Sequence, residues 1–395
     1  MPQVKRKLKK VAVLVETTRS YARGLVTGIS RYAREQGDWA LYFTPRGLDD
    51  PVPHWLKDWS GDGILARIEN EKMLQEVRAC KVPVVDFRRV VEVGNIPVIG
   101  PNDQLVSRNV YEHFRQRGFR HIGYYGMPDS AAGAMKRRAQ YLAAECENDD
   151  IPLLRFRSRT RRRYHTASSW EREHDTLAQW LSELPKPVGV MACTDDYGVR
   201  LLDAARRADV AVPEEVAVVA VGNDECLCQL ATPSLSSVAL NSEHIGYEGA
   251  KVLDGLMRGK SRKQNKQIHI DPAGVVPRLS SDILAVSDPR AASAIRFIRE
   301  HAFREIGVTD VMKHVHMSRT GLNTLLRNAI NRSVHEEIRR VRLERVRELL
   351  ITTDAPIKEI AYKTGFHYPE YLVRAFKNTT GKTPREFRQE ARAPG

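Results

Sequence analysis

Nowhere in the 395 residues is there an apolar run long enough to cross a bilayer. The longest uncharged stretches, such as Val11–Val15 and Val216–Gly222, fall far short of the ~20 residues a spanning helix needs. Cysteine is scarce and odd in number, five in the whole chain, which argues against a disulfide framework and fits a reducing cytoplasm. The basic residues Lys5, Arg6, Lys7, Lys9 and Lys10 precede an apolar run that stops at Glu16 with no small-residue cleavage site. A secretory signal is therefore not expected, and neither is a membrane partner.

Signatures of catalysis are missing in turn. There is no G-x-G-x-x-G and no G-x-S-x-G. Arg258-Gly259-Lys260-Ser261 ends like a phosphate loop, but Asp254 stands where its first glycine should be. His335-Glu336-Glu337 opens like a zinc helix, yet Arg339 replaces the second ligand. Cys226 and Cys228 have no partner pair at metal spacing, and His314 and His316, two apart, point to different helix faces. No catalytic residue, metal or cofactor is expected.

What is abundant is positive charge. The chain carries a net +14, and residues 288–395 alone hold 21 basic and 13 acidic side chains, a net +8. So basic a block points to a polyanionic partner, nucleic acid before others, against the plainer reading of a solubilising surface. The segment Arg155–Arg163 has six arginines in nine positions and reads as a solvated loop or a contact for an anion.

The hydropathy pattern divides the chain. From Val11 to about residue 284, short apolar runs alternate with amphipathic stretches. Strands are expected at Val11–Val15, Ala40–Phe43, Gly63–Ala66, Pro83–Phe87, Pro97–Ile99, His121–Tyr125, Leu153–Phe156, Val188–Ala192 and Val216–Val221. Helices are expected over Tyr21–Glu35, Gln104–Gln116, Lys136–Glu147, Trp170–Leu184, Tyr197–Ala208 and Glu243–Arg258. This alternation implies parallel sheets covered on both faces, and some 270 residues is large for one sheet, so two lobes follow. Residues 1–10 read as a basic tail and 285–290 as a linker. From residue 291 onward everything reads as short helices, the texture of a compact all-α domain.

Two helix-turn-helix units stand out in that last domain. The first runs through Val308–Val315, a turn, and Ser318, which caps a helix whose apolar face holds Leu322, Leu325 and Leu326. Ser318, Arg319, Thr320, Asn323 and Arg327 are its candidate DNA contacts. The second runs through Ile357, Ile360, Ala361, Gly365 and Phe366 into a helix opened by Pro369, with Tyr368, Glu370, Tyr371, Arg374 and Lys377 as candidates. A long helix, Val334–Thr352, links the two. At these residues the chain resembles the AraC/XylS family of transcription regulators. The run from Ile357 through Gly365-Phe366, Tyr371, Arg374, Phe376 and Lys377 to Gly381, Thr383, Pro384, Phe387 and Arg388 follows that family's signature. Asn331 stands where the family usually has glycine, and Thr324, Leu326, Glu370 and Leu372 also depart from it.

The first 284 residues resemble the ligand-binding core of LacI/GalR regulators and periplasmic sugar-binding proteins. The likeness rests on the first strand, Gly61-Asp62-Gly63-Ile64-Leu65, Gly118–Gly123, Ala192–Asp196, Val218–Asp224 and Thr232–Val238. The fold these resemblances imply is an α/β two-lobed periplasmic-binding-protein-like sensor plus an all-α double helix-turn-helix domain. Residues that hold sugars sit at strand ends. Here they are Arg19, Tyr21, Arg23, Arg138, Asp195, Asn223 and Asp224. The resemblance puts Arg138, Asp195 and the 223–224 pair at effector-contact positions, while Asn223 and the order Asn102-Asp103 depart from the usual pattern. For Asp195 and Asp224, capping the following helix is the simpler role. Sensor and reader in this order are the arrangement of xylose-responsive activators. That implies duplex promoter DNA and a pentose effector as partners, xylose first, with RNA polymerase contact and a homodimer. The same build answering another sugar or repressing, and more remotely an enzyme with a tethered DNA module, are the alternatives.

Overall fold

The computed structural model describes residues 8–47, 50–127, 133–156, 167–259, 267–283, 288–304, 306–330, 332–353 and 355–391. The chain divides into two compact units, Met1–Asp282 and Ile283–Gly395. Most of the arginine-rich segment, the departure at Asn331 and the expected linker up to residue 287 lie outside the described residues.

The first unit is built on two six-stranded sheets, as the alternation of strands and helices requires. One lobe begins with β1 (Lys9–Leu14), α1 (Ser20–Gln36), β2 (Trp39–Phe43), β3 (Gly63–Ala66), α2 (Glu71–Ala79), β4 (Val84–Asp86) and β5 (Val98–Pro101). The chain then crosses into the second lobe with α3 (Asp103–Gln116), β6 (His121–Tyr125), α4 (Gly133–Asn148), β7 (Leu153–Arg155) and α5 (Ala167–Glu183). That lobe continues through β8 (Val188–Ala192), α6 (Asp195–Arg207), β9 (Val216–Gly222), α7 (Glu225–Leu230) and β10 (Ser236–Ala239). A return places α8 (Ser242–Met257) and β11 (Gln267–Ile270) in the first lobe, and β12 (Gly274–Val276) ends in the second. The sheet orders are β11-β5-β4-β3-β1-β2 and β12-β10-β9-β8-β6-β7. β12 pairs antiparallel to β10, and the other strand pairs are parallel.

Burial explains the pattern. Val11, Val13 and Val15 face one side of the first sheet with Leu25 and Ile29 of α1 and Ile245 and Leu253 of α8. Ala12, Leu14, Ile64 and Ala66 face the other side, with Leu74 and Val77 of α2. Strands covered on both faces need an unbroken apolar run, and that is how β1 and β9 read. α1 and α8 pack with almost no gap. A Cβ on Gly28 would lie 1.9 Å from the Glu243 carbonyl oxygen, and one on Gly246 would lie 2.1 Å from that of Leu25. β1 starts earlier than the apolar run predicts. Lys9 belongs to the strand because its ammonium is held by Asp254 at 2.7 Å and Asp38 at 3.1 Å, so it is not part of a tail.

The three crossings between the lobes are tied to one another. Asn102 donates its side-chain amide to Asp271 Oδ1 (3.0 Å), and Asn241 donates to the Asp271 carbonyl oxygen (2.8 Å). The Asn102 backbone N–H also donates to the Ile270 carbonyl oxygen, at 2.8 Å.

The second unit is all helix among its described residues. It comprises α9 (Pro289–His301), α10 (Val308–Val315), α11 (Arg319–Ile330), α12 (Val334–Thr352), α13 (Ile357–Lys363), α14 (Pro369–Thr380) and α15 (Pro384–Ala391). Leu343, Val346, Ile360, Phe366, Leu372 and Phe376 form part of one of its cores. Glu337 of α12, wholly buried, receives both ends of the Arg340 guanidinium at 2.8 and 2.9 Å, with Arg332 at 3.5 Å and Arg299 of α9 at 3.7 Å. Burial pushes this carboxyl up, but the three arginines overcome it and hold it below the ordinary range.

Candidate functional site

A cavity of about 150 Å³ opens in the first unit, where the carboxyl ends of strands from both sheets face each other. This is where a doubly wound architecture places its ligands, because successive loops there converge while the strand interiors are filled. From the first lobe it is lined by Arg19, Ser20 and Tyr21 at the start of α1, Arg67 after β3, and Phe87, Arg88 and Arg89 after β4. From the second lobe come Arg137 and Arg138 of α4, Thr194, Asp195 and Asp196 at the start of α6, and Gly222 and Asp224 after β9.

Asp195 is 4 % exposed, and its two oxygens are aimed by neighbours. Oδ2 accepts the Asp224 backbone N–H at 2.7 Å, and Oδ1 accepts the Ser237 hydroxyl. Burial pushes its pKa up to about 6 against the pull of those two bonds. Gly222, at φ 137°, has to be glycine, since a Cβ there would sit 2.6 Å from Asp195 Oδ2. Asp195 does not cap α6, whose N-cap is Thr194. Asp224 does cap α7, by accepting the Leu227 N–H at 3.4 Å, and it also lines the cavity.

Arg138 is buried and donates Nε to Asp103 Oδ1 at 2.8 Å and Nη1 to the Cys193 carbonyl at 3.2 Å. Asp103 also receives Arg137 on its other oxygen, at 2.9 Å. The order Asn102-Asp103 thus has a clear division of labour, with Asn102 capping α3 and joining the crossings while Asp103 holds two arginines.

Five of the seven expected ligand residues line the cavity: Arg19, Tyr21, Arg138, Asp195 and Asp224. Arg23 and Asn223 do not. Arg23 is exposed, donates to the Thr17 carbonyl and lies 3.9 Å from the Asp224 carboxylate, so it meets the cavity only through that lining residue. Asn223 has a left-handed backbone (φ 54°) that turns its side-chain oxygen to Arg278, 2.9 Å away. Sequence reasoning missed Arg67, Arg88, Arg89 and Arg137. The first three follow β3 and β4 at their carboxyl ends, the same signal that selected Arg19. Arg67 pairs with buried Glu16 and lies over the Tyr21 ring, 5.4 Å from its centroid. Arg88 pairs with Glu69 at 2.7 Å, and burial pushes that carboxyl up to about 7.

The second unit presents two helix-turn-helix faces. In the first, His316 takes the left-handed conformation (φ 52°) that ends α10 and turns the chain into α11. Leu322, Leu326 and Ile330 are buried, and Arg319, Thr320, Thr324 and Arg327 are exposed. Ser318 is exposed but its hydroxyl accepts the Gly321 N–H at 3.2 Å, the work of a helix cap. Asn323 is half-buried, and its side-chain oxygen accepts the Val334 N–H at 3.1 Å, fastening α11 to α12. That bond gives its side-chain oxygen a role within the fold. In the second unit, Gly365 (φ 77°) makes the turn, and its Cα lies too close to the Ala302 carbonyl and Arg342 for any side chain. Tyr368, Glu370, Tyr371, Arg374 and Lys377 of α14 and its N-cap are all exposed. Phe366, Leu372 and Phe376 behind them are core. Arg388 donates to the Ala355 carbonyl at 2.7 Å.

Comparison with known proteins follows the same division. Three family models match in succession: a XylR N-terminal domain over residues 10–94, a periplasmic binding protein-like domain over 111–281, and a helix-turn-helix domain over 311–390. The xylose operon regulatory protein of Escherichia coli K12 is 27% identical over 390 residues, 97% of each chain. That of Haemophilus influenzae is 29% identical over 388 residues, 96% of this chain and 98% of the relative. A solved structure of the xylose-binding transcription activator XylR covers 97% of this chain and 98% of its own, at 25% identity and a TM-score of 0.81. A CelR–cellobiose complex matches 70% of this chain at 20% identity and a TM-score of 0.56, a likeness of fold.

Proposed function

We propose, from the premise that this chain is a DNA-binding transcription regulator of the XylR type, that a pentose held in the cavity of the first unit sets the DNA-binding state of the second. The observation that carries the reading is the cavity itself. It brings the buried carboxylate of Asp195 and the buried guanidinium of Arg138 to one opening, in a chain that also holds two helix-turn-helix units. Asp195 accepts sugar hydroxyls, Arg138 and Arg19 donate to ring and hydroxyl oxygens, and Tyr21 and Phe87 offer ring faces. Xylose is the first effector in line, with arabinose and ribose after it.

Closing the lobes on the sugar requires the three tied crossings to bend together. A ligand drives that change only by binding the closed state better than the open one. The closed sensor then repositions the readers of a homodimer over two DNA half-sites in the cytoplasm, where RNA polymerase is contacted. Arg319, Thr320 and Arg327 on α11, and Tyr368, Glu370, Tyr371, Arg374 and Lys377 on α14, are the groove and phosphate contacts. The protein carries out no catalysis in this reading.

The test is calorimetry of the full chain with xylose, arabinose and ribose, followed by promoter-DNA binding with and without the sugar across a salt series. A pentose that binds and shifts a steeply salt-dependent DNA affinity is the expected result. A chain that binds no pentose, or whose DNA affinity ignores the bound sugar, overturns it.

A further inference from the structure

The cavity has two chemically different walls. On the second-lobe side Asp195, Asp196 and Asp224 present hydrogen-bond acceptors. On the first-lobe side Arg19, Arg67, Arg88 and Arg89 present donors, and α1 begins among them. This 17-residue helix opens with no side-chain cap at Arg19 and no acidic residue in its first turn, so its positive end is left uncompensated beside the cavity.

The donors on this wall are underused. The Arg67 side chain is only 10% exposed, and while one of its terminal nitrogens meets Glu16, its Nε has no hydrogen-bond partner. The Tyr21 hydroxyl is buried and also without a partner, and burial pushes its pKa up to about 12, which keeps it a donor. Among the described residues, neither the Arg19 nor the Arg89 guanidinium has an ion pair or a hydrogen bond. Among the described residues, four guanidiniums on this wall stand against three carboxylates behind it. Glu16 is taken by Arg67 and Glu69 by Arg88. Asp86, fully buried, is occupied by the backbone N–H groups of Ile68, Arg88 and Arg89.

We infer that this wall is a carboxylate-binding subsite, and that the preferred effector is a monosaccharide bearing a carboxylate, an aldonate or uronate, over the neutral pentose. The inference rests on the sugar-regulator reading of the same cavity. The ligand's hydroxyls donate to Asp195, Asp196 and Asp224, while its carboxylate accepts from Arg19, Arg67, Arg89 and the first turn of α1. It supplies the anion that the arginine wall and the helix end lack.

Calorimetry of the full chain with D-xylose, sodium D-xylonate and D-xylose 5-phosphate at neutral pH tests this. Xylonate is expected to bind tighter than xylose by about tenfold or more, as a charge-assisted pair of hydrogen bonds implies. In Arg19→Gln and in Arg89→Gln the ratio of the two dissociation constants is expected to fall toward one. Both side chains reach solvent, so neither substitution empties a core. Xylose binding as tightly as xylonate overturns the carboxylate subsite and leaves the pentose regulator standing. So does a ratio unchanged in both variants. The phosphate binding tighter than xylonate overturns the carboxylate as the preferred anion. Binding of none of the three overturns the sugar-regulator reading itself.

Discussion

Replacing Asp195 by asparagine should stabilise the first unit while weakening its hold on sugar. In the fold this carboxyl is raised from 3.8 to about 6, burial being the cause, and the shift already includes the two hydrogen bonds that favour its charge. A little over two units corresponds to roughly 3 kcal/mol of destabilisation carried by the ionised form at pH 7. The amide keeps an acceptor for the Asp224 N–H and gives Ser237 a donor in exchange for a charge. Asp195→Asn should therefore gain roughly 1–3 kcal/mol at neutral pH. The sign follows from the direction of the shift. Between about pH 4 and 6 the folded protein holds more protons than the unfolded chain, so the wild type gains stability as pH falls through that window. The advantage of the variant is full above about pH 6 and gone near pH 4. Urea unfolding followed by tryptophan fluorescence reads this unit alone, because Trp39, Trp55, Trp59, Trp170 and Trp180 all lie within it. Calorimetry of the same variant should show sugar affinity reduced by about tenfold or more, the loss of a charged acceptor. A variant less stable than wild type at pH 7, or a gain that ignores pH, would refute the account of the carboxyl. Unchanged sugar affinity would take Asp195 out of the ligand site.

Glu337→Ala should cost about 3–5 kcal/mol, since it leaves the Arg299, Arg332 and Arg340 side chains around an empty buried position. Denaturant unfolding of the second unit followed by far-UV circular dichroism reads it, and a loss under about 1 kcal/mol would contradict the buried network. Gly28→Ala should lower the melting temperature of the first unit, because the new methyl meets backbone at 1.9 Å and the α1–α8 pair must part. Overpacking of this kind costs about 1–3 kcal/mol, and a neutral result would mean the helices cross more loosely than described. Arg374→Ala should lose about 1–3 kcal/mol of DNA affinity with sugar binding intact. Asn323→Ala should instead lose about 1 kcal/mol of stability, because it orphans the Val334 N–H. Gel-shift titrations and unfolding curves of both variants separate the roles, and the reverse pattern would exchange the two assignments.

Hydropathy alone carried the two-lobed architecture, because strands covered on both faces must be apolar along their whole length. β1, β6, β8 and β9 fall within a residue or two of the expected spans. Both helix-turn-helix units were equally legible. Their turns need Gly365 or a residue tolerant of left-handed backbone, and their core positions recur at helical spacing. Short elements were not legible. α2 and α7 went unread, as did β10, where Ser236 and Ser237 are buried but polar, satisfied by Arg278 and Asp195 across the chain. β11 and β12, four and three residues long, are strands only because a neighbouring strand offers its edge.

At the site, the rule that ligands gather at strand ends selected loops that line the cavity, while the direction of each side chain was decided in three dimensions. Arg23 and Asn223 sit one or two residues from Tyr21 and Asp224, yet neither lines the cavity: Arg23 turns to the Thr17 carbonyl and the Asp224 carboxylate, and a left-handed φ turns Asn223 to Arg278. Ser318 and Asn323 have the chemistry of DNA contacts, but backbone N–H groups three and eleven residues further along claim their oxygens. Polar pattern records which groups need a partner. For Ser318 the partner is local and the cap is legible, but for Asn323 and Asn223 only the folded chain determines it, because the competing donors, the Val334 N–H and the Arg278 guanidinium, come from residues further off in sequence.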